Sequence, residues 1–182
     1  LIGVSLSWEP GTGVYVPMHS PAPDQHLDTP TVLAALRPVL EEAGLSKCGH
    51  NVKFDASVLR REGVRLRGVV FDSMLASQLI DPTQASHKLD LLAQTVLNYQ
   101  MIPITDLIGE GDNQGSMADV PLEKITEYAA EDADITLQLH GGVQNSDLKR
   151  DDFPFHRGPQ DSTSDPGNPS GNVNDVASSM GG

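Results

Sequence analysis

The sequence predicts an α/β layered domain on a mixed sheet, and three observations carry that prediction. Two short apolar runs at the start flank a tight turn, the pattern of an antiparallel hairpin. After them, short apolar runs alternate with segments of helical period. The 182 residues give room for one ordinary globular domain and its core.

The elements follow in order. Ile2 to Trp8 and Val14 to Val16 read as strands around Glu9-Pro10-Gly11-Thr12-Gly13, which has turn chemistry. Asp28 or Thr29 can cap a helix with Pro30 in its first turn, running through Val32, Leu33, Leu36, Val39 and Leu40 to Gly44, with a kink expected at Pro38. Leu45 to Gly49 is a short buried strand, followed by a helix from Val52 to Glu62 that Gly63 terminates. Val69, Val70 and Phe71 form the next strand. Asp72 or Ser73 caps a helix that ends near Pro82. Lys88 to Asn98 is amphipathic, with Leu89, Leu92, Ala93 and Val96 on one face. Gly109 to Ser116 reads as a flexible loop, and a last helix starts near Pro121 and is expected to stop at Gly141-Gly142. From Asn145 to Gly182 Gly, Pro, Ser, Asn and Asp predominate, too polar to offset the entropy of ordering, so this stretch is expected to be a disordered or non-native tail.

Composition excludes several functions. No apolar run approaches the roughly 20 residues of a membrane-spanning helix, so no membrane partner is expected. The single Cys48 makes no internal disulfide and reads as a small core residue in a reducing cytoplasm. The six histidines are scattered without ligand spacing. A net charge of -13 has the wrong sign for gripping nucleic acid through basic patches, so any phosphate-handling function needs metal ions as intermediaries.

Two segments can carry chemistry. In Gly49-His50-Asn51-Val52-Lys53-Phe54-Asp55 a strand feeds a helix, which puts Asn51 at the helix start and Asp55 one turn in, at the sheet edge where open α/β folds bind ligands. Alone, this reads as readily as a helix N-cap and a first-turn acid. In Tyr128-Ala129-Ala130-Glu131-Asp132-Ala133-Asp134, Tyr128 and Asp132 share a helix face, and the two alanines between them admit another backbone or a ligand. Glu127, Glu131 and Asp134 read as a solvated acidic face. Trp8 reads as packing, and so do Ile102, Ile104 and Leu107, with a wedge against a terminal base as their other reading.

Together the segments say more. Asn-x-x-x-Asp at a strand-to-helix turn and Tyr-x-x-x-Asp on a later helix resemble the second and third exonuclease motifs of the DEDD superfamily, in its tyrosine subclass. The blocks GHNVKFDASVL, FDSMLASQLIDP, HKLDLLAQ and YAAEDADITLQLH, in this order, resemble the proofreading 3′-5′ exonuclease domains of bacterial family A DNA polymerases, over roughly residues 1 to 140.

The resemblance implies a ribonuclease-H-like fold that removes nucleotides from a DNA 3′ end by two-metal hydrolysis with magnesium or manganese. It implies that Asp55 and Asp132 hold metal, directly or through water, that the Tyr128 hydroxyl orients the attacking water, and that Asn51 positions the terminal nucleotide or the second-motif turn; His50, beside Asn51, is a further candidate nucleotide contact. It also implies a polymerase domain in cis and a bacterial cytoplasmic location. The exonuclease domain spans 1–144 and is partial, because the family's first motif, an Asp-x-Glu on a preceding strand, is not in the sequence. Glu9, at the hairpin turn, does not replace it. The sheet is therefore expected to lack its first strand, leaving neighbouring strands with unpaired edges, and hydrolysis by these 182 residues is expected to be impaired. The rival readings are a catalytically inactive spacer beside a polymerase, a ribonuclease D-type RNA 3′-exonuclease, and an acidic protein-interaction domain.

Overall fold

The structure, a computed structural model, describes residues 1–111 and 114–145, all within one compact unit. The tail expected from Asn145 on thus lies outside the described residues, save Asn145 itself, and so does part of the Gly109 to Ser116 loop.

The hairpin forms as the sequence predicts. β1 (Gly3–Leu6) pairs antiparallel with β2 (Val14–Pro17), Gly3 opposite Pro17 and Leu6 opposite Val14. Trp8 lies beyond the end of β1 and is 68% exposed, so the packing role expected for it is wrong: the strand that would have turned it inward has already ended.

α1 (Thr29–Glu41) starts where Asp28 accepts the Thr31 N–H at 3.1 Å, and it continues through Pro38. Val32, Leu33 and Leu40 form its buried face. β3 (Lys47–Gly49) and β4 (Val69–Asp72) run parallel, with Gly49 opposite Asp72, and α2 (Val52–Arg61) crosses between them. Gly63, at φ 75°, supplies the left-handed residue that stops α2. Leu33, Leu40, Leu59 and Val64 make one core between α1 and α2.

α3 (Ser73–Ile80) is turned against its hydropathy. Ser73 and Ser77 are buried, while Leu75 and Leu79 are 56% and 60% exposed. α4 (Leu89–Leu97) buries Leu92 and Ala93 against Ile135 and Leu139 of α6 (Leu122–Asn145), with Met101 completing a second core. α5 (Thr105–Ile108) is a single turn after Met101, and Ile104 before it is 42% exposed, so the packing expected of Ile104 does not hold.

α6 does not stop at Gly141-Gly142. A Cβ on Gly142 would come within 4 Å of Leu97 and Val96, so this part of the helix is held by packing on α4, and tertiary contact overrides the weak propensity of the glycine pair.

The sheet is in two pieces. Among the described residues β1–β2 and β3–β4 are separate two-stranded sheets, so both strand directions of a mixed sheet are present and each of the four strands keeps one edge unpaired. α6 lies against β1, β2 and β3 and so carries both pieces.

Candidate active site

At the C-terminal end of β3 the chain passes through His50 and Asn51 into α2. Asn51 takes the left-handed conformation, φ 58° and ψ 46°, and its side chain makes no capping bond, so the N-cap reading of this residue holds for its position and fails for its side chain. Asp72, at the adjacent end of β4, caps in its place. Its Oδ2 accepts the Val52 N–H at 2.8 Å and its Oδ1 accepts the Asn51 N–H at 3.1 Å. The same Oδ1 accepts the Met74 and Leu75 N–H groups at 3.0 and 3.2 Å, capping α3 as well. His50 Nδ1 lies 2.8 Å from the hydroxyl of buried Ser73. Burial lowers the His50 pKa, against the opposing charges of Asp72 and Asp90.

Asp55 stands one turn into α2. By surface area it is exposed, yet its carboxyl is crowded enough to be pushed up to about 6, by loss of hydration first and by the Asp72 charge second.

α6 supplies the facing groups. Tyr128 and Asp132 are one turn apart and half-buried. Burial pushes the Asp132 carboxyl up to about 7, Glu131 and Asp90 push the same way, and the neighbouring Tyr128 hydroxyl pulls against them. The Tyr128 phenol is pushed up to about 12, by burial and then by the charges of Asp132, Asp90 and Glu131.

The structure thus brings Tyr128 to Asp132, and His50, Asn51 and Asp55 to a common corner. Asp90, in the first turn of α4, is the one carboxylate whose charge acts on both groups, through His50 on one side and through Tyr128 and Asp132 on the other. Asp55 and Asp132 do not perturb each other: the charges raising them come from different neighbours. Among the described residues no three His, Cys, Asp or Glu side chains form a group that could hold a metal ion.

Four contributors escape the sequence reading. Asp72 reads as the cap of its own helix only, and nothing in the sequence singles out Asp90. Glu131, taken for part of a solvated face, accepts the Tyr99 hydroxyl at 2.9 Å and the Ile102 N–H at 2.8 Å. Asp134, on the same supposed face, accepts the Gly11 N–H at 2.8 Å and the Gln138 amide at 2.9 Å. The alanine pair admits a backbone rather than a ligand: Gly13 of the hairpin packs against the Ala130 carbonyl.

A parallel strand pair ending at an acid-bearing corner, beside a helix with tyrosine and aspartate one turn apart, belongs to a mixed α/β domain consistent with the ribonuclease-H-like fold that the sequence resemblance implies. Residues 1–146 match the family described as 3′-5′ exonuclease, and the chain belongs to that family. Family membership points to a hydrolase, as the sequence resemblance implies. The chain is 40% identical over 145 residues to DNA polymerase I of Pseudomonas aeruginosa, a match covering 77% of this chain and 16% of that one. It is 35% identical over 144 residues to DNA polymerase I of Chloroflexus aurantiacus, covering 79% of this chain and 15% of that one. Among solved structures it is similar to Pol1 from M. smegmatis in complex with DNA primer-template and dNTP, with a TM-score of 0.53, 25% identity, and coverage of 74% and 19% of the two chains. The chain therefore spans about a sixth of the length of the curated relatives it matches.

Proposed function

We propose that Asn51, Asp55, Tyr128 and Asp132 form the working face of this exonuclease domain, acting on the 3′ end of a DNA strand with a polymerase domain in cis, in a bacterial cytoplasm. No described helix is long and apolar enough to cross a membrane.

The observation that carries this reading is the state of the two acids. Asp55 and Asp132 are both pushed up, to about 6 and about 7, and no cationic group is among the charges acting on either. Such carboxylates are stabilised by an added cation, and their hard oxygens suit magnesium or manganese. By donor type each carboxylate suits a divalent ion, Asp55 on α2 and Asp132 on α6. Among the described residues no group of three His, Cys, Asp or Glu side chains could hold one, so the donor number falls short of the family's pair of ions. When bound, the cation supplies neutralisation of phosphate charge and a water of lowered pKa.

The chain's own residues do the rest. With its pKa at about 12, Tyr128 remains a phenol at neutral pH, so it orients a water through its oxygen and does not act as a base. Asn51 has a side chain free of capping duty to hold the terminal nucleotide. His50, kept neutral by burial and held at Nδ1 by Ser73, presents its other nitrogen as a hydrogen-bonding group.

The test is degradation of a 3′-labelled single-stranded DNA with magnesium or manganese, by this chain and by Asp132→Ala. No activity in either, with recovery once a strand bearing Asp-x-Glu is supplied upstream, is the expected result. Activity abolished by Asp132→Ala overturns the impairment, and failure to recover favours the inactive spacer.

A further inference from the structure

The first N–H groups of a helix need acceptors, and asparagine at the N-cap is among the best residues to provide one. Asn51 holds that position at the start of α2 and does not use it. N-caps that bond through their side chains are extended, whereas Asn51 is left-handed, a conformation that asparagine tolerates better than most L-residues but that takes its side chain off capping duty. What holds it there is the Asp72 carboxylate, through the Asn51 and Val52 N–H groups.

We propose that Asp72 is the positioning residue of this corner: by capping α2 from the neighbouring strand it frees the Asn51 side chain and keeps it turned toward the substrate. The substrate half of this proposal rests on the reading of Asn51 given above, and the capping half does not. Asp72 is not itself a catalytic residue. Three backbone N–H groups fill its Oδ1 and a fourth is on Oδ2, so most of its acceptor capacity goes to the two helix starts. The register sets the geometry, since Gly49 and Asp72 are paired across the parallel strands and one side chain can span both helix starts. Without that span, Asn51 relaxes to the extended conformation and caps α2 itself, which withdraws its side chain from the site.

Asp72→Ser separates the two duties. Serine caps its own helix well but is too short to reach α2. Urea midpoints are measured for the unmodified chain, Asn51→Gly, Asp72→Ser and the double variant. Glycine accepts the left-handed conformation, and the relief of strain offsets its greater chain freedom. Asn51→Gly is expected to leave the midpoint unchanged when Asp72 is present and to lower it in the Asp72→Ser background, where Asn51 has become the cap. A lowered midpoint in both backgrounds, or in neither, overturns the proposal. Should Asp72→Ser fail to fold, Asp72→Thr, which also caps its own helix and is as short, replaces it in the same cycle.

The substrate half is read from the affinity for a 5′-labelled oligothymidylate with a free 3′ end, in calcium to prevent cleavage. Asp72→Ser and Asn51→Gly should each raise Kd by about 3- to 10-fold, as loss of one hydrogen bond does, and the double variant no further. Losses that multiply overturn the positioning role. If Asn51→Gly leaves Kd unchanged, the reading of Asn51 as a substrate residue fails while the midpoint cycle still decides the capping role.

Discussion

Gly13 lies so close to Ala130 that a methyl group on it would overlap the Ala130 carbonyl, so the hairpin rests on the very turn of α6 that separates Tyr128 from Asp132. The obstacle is helix backbone, which cannot swing aside. Gly13→Ala should therefore cost about 2–3 kcal/mol through overpacking. Gly11, two residues earlier at φ 81°, has open space around it, and alanine there should cost only the left-handed strain, about 1 kcal/mol. Urea unfolding of the two variants checks the order.

The raised carboxyls give stability a definite pH dependence. An unfolded aspartate titrates near 4. With folded values of about 7 for Asp132 and about 6 for Asp55, the folded chain retains protons that the unfolded chain has released. Stability accordingly falls as pH rises from about 4 to about 7, and the whole penalty is present above that. The urea midpoint should be higher at pH 5 than at pH 8, with Asp132→Asn removing the larger part of the difference. After screening at a half-exposed site that part is about 1–2 kcal/mol. A midpoint that rises over this range would contradict the assignment.

Glu131 joins α6 to the segment after α4 through Tyr99 and Ile102. Tyr99→Phe and Glu131→Gln should each destabilise by about 1 kcal/mol, and a double-mutant cycle should return a coupling of similar size. Glu131→Gln also removes a like charge beside Asp132, so the Asp132 carboxyl should titrate below its value of about 7, as followed by carbon-detected NMR.

α3 offers a test of its reversed faces. Leu75→Gln and Leu79→Gln, on the exposed side, should each alter stability by no more than about 0.5 kcal/mol. Ser77→Val, on the buried side, should cost about 1–3 kcal/mol, since it adds bulk and breaks the 2.8 Å contact between the Ser77 hydroxyl and His87 Nδ1. Calorimetric melting of the three variants distinguishes them.

Much of this was legible in the sequence where local chemistry decides. Asp28 and Asp72 cap the helices they precede, Gly63 ends α2, and the turn around Pro10-Gly11 makes the hairpin. The pairing of Tyr128 with Asp132 follows from helical spacing alone. What escaped depends on partners distant in the chain. Asp72 reaches N–H groups some twenty residues upstream, the roles of Glu131 and Asp134 require knowing what α6 packs against, and the helix persists through Gly141-Gly142 because α4 covers it. The faces of α3 are not legible from its composition either, since Ser73 and Ser77 are buried while Leu75 and Leu79 are exposed.

Among the described residues the two sheets are unjoined and the two cores are built on different helices, and α6 packs extensively on both strand pairs. Opening fluctuations should follow that division. The amides of α1 and α2 can exchange with solvent as one cooperative group while α4 and the middle of α6 stay closed, and the slowest protons of the molecule should sit near Ile135 and Leu139, where the keel is deepest. Tyr128 and Asp132 ride on that slowest element, whereas Asn51 and Asp55 ride on the faster one, so the two halves of the site would come together and part on the timescale of sub-global opening rather than of side-chain rotation.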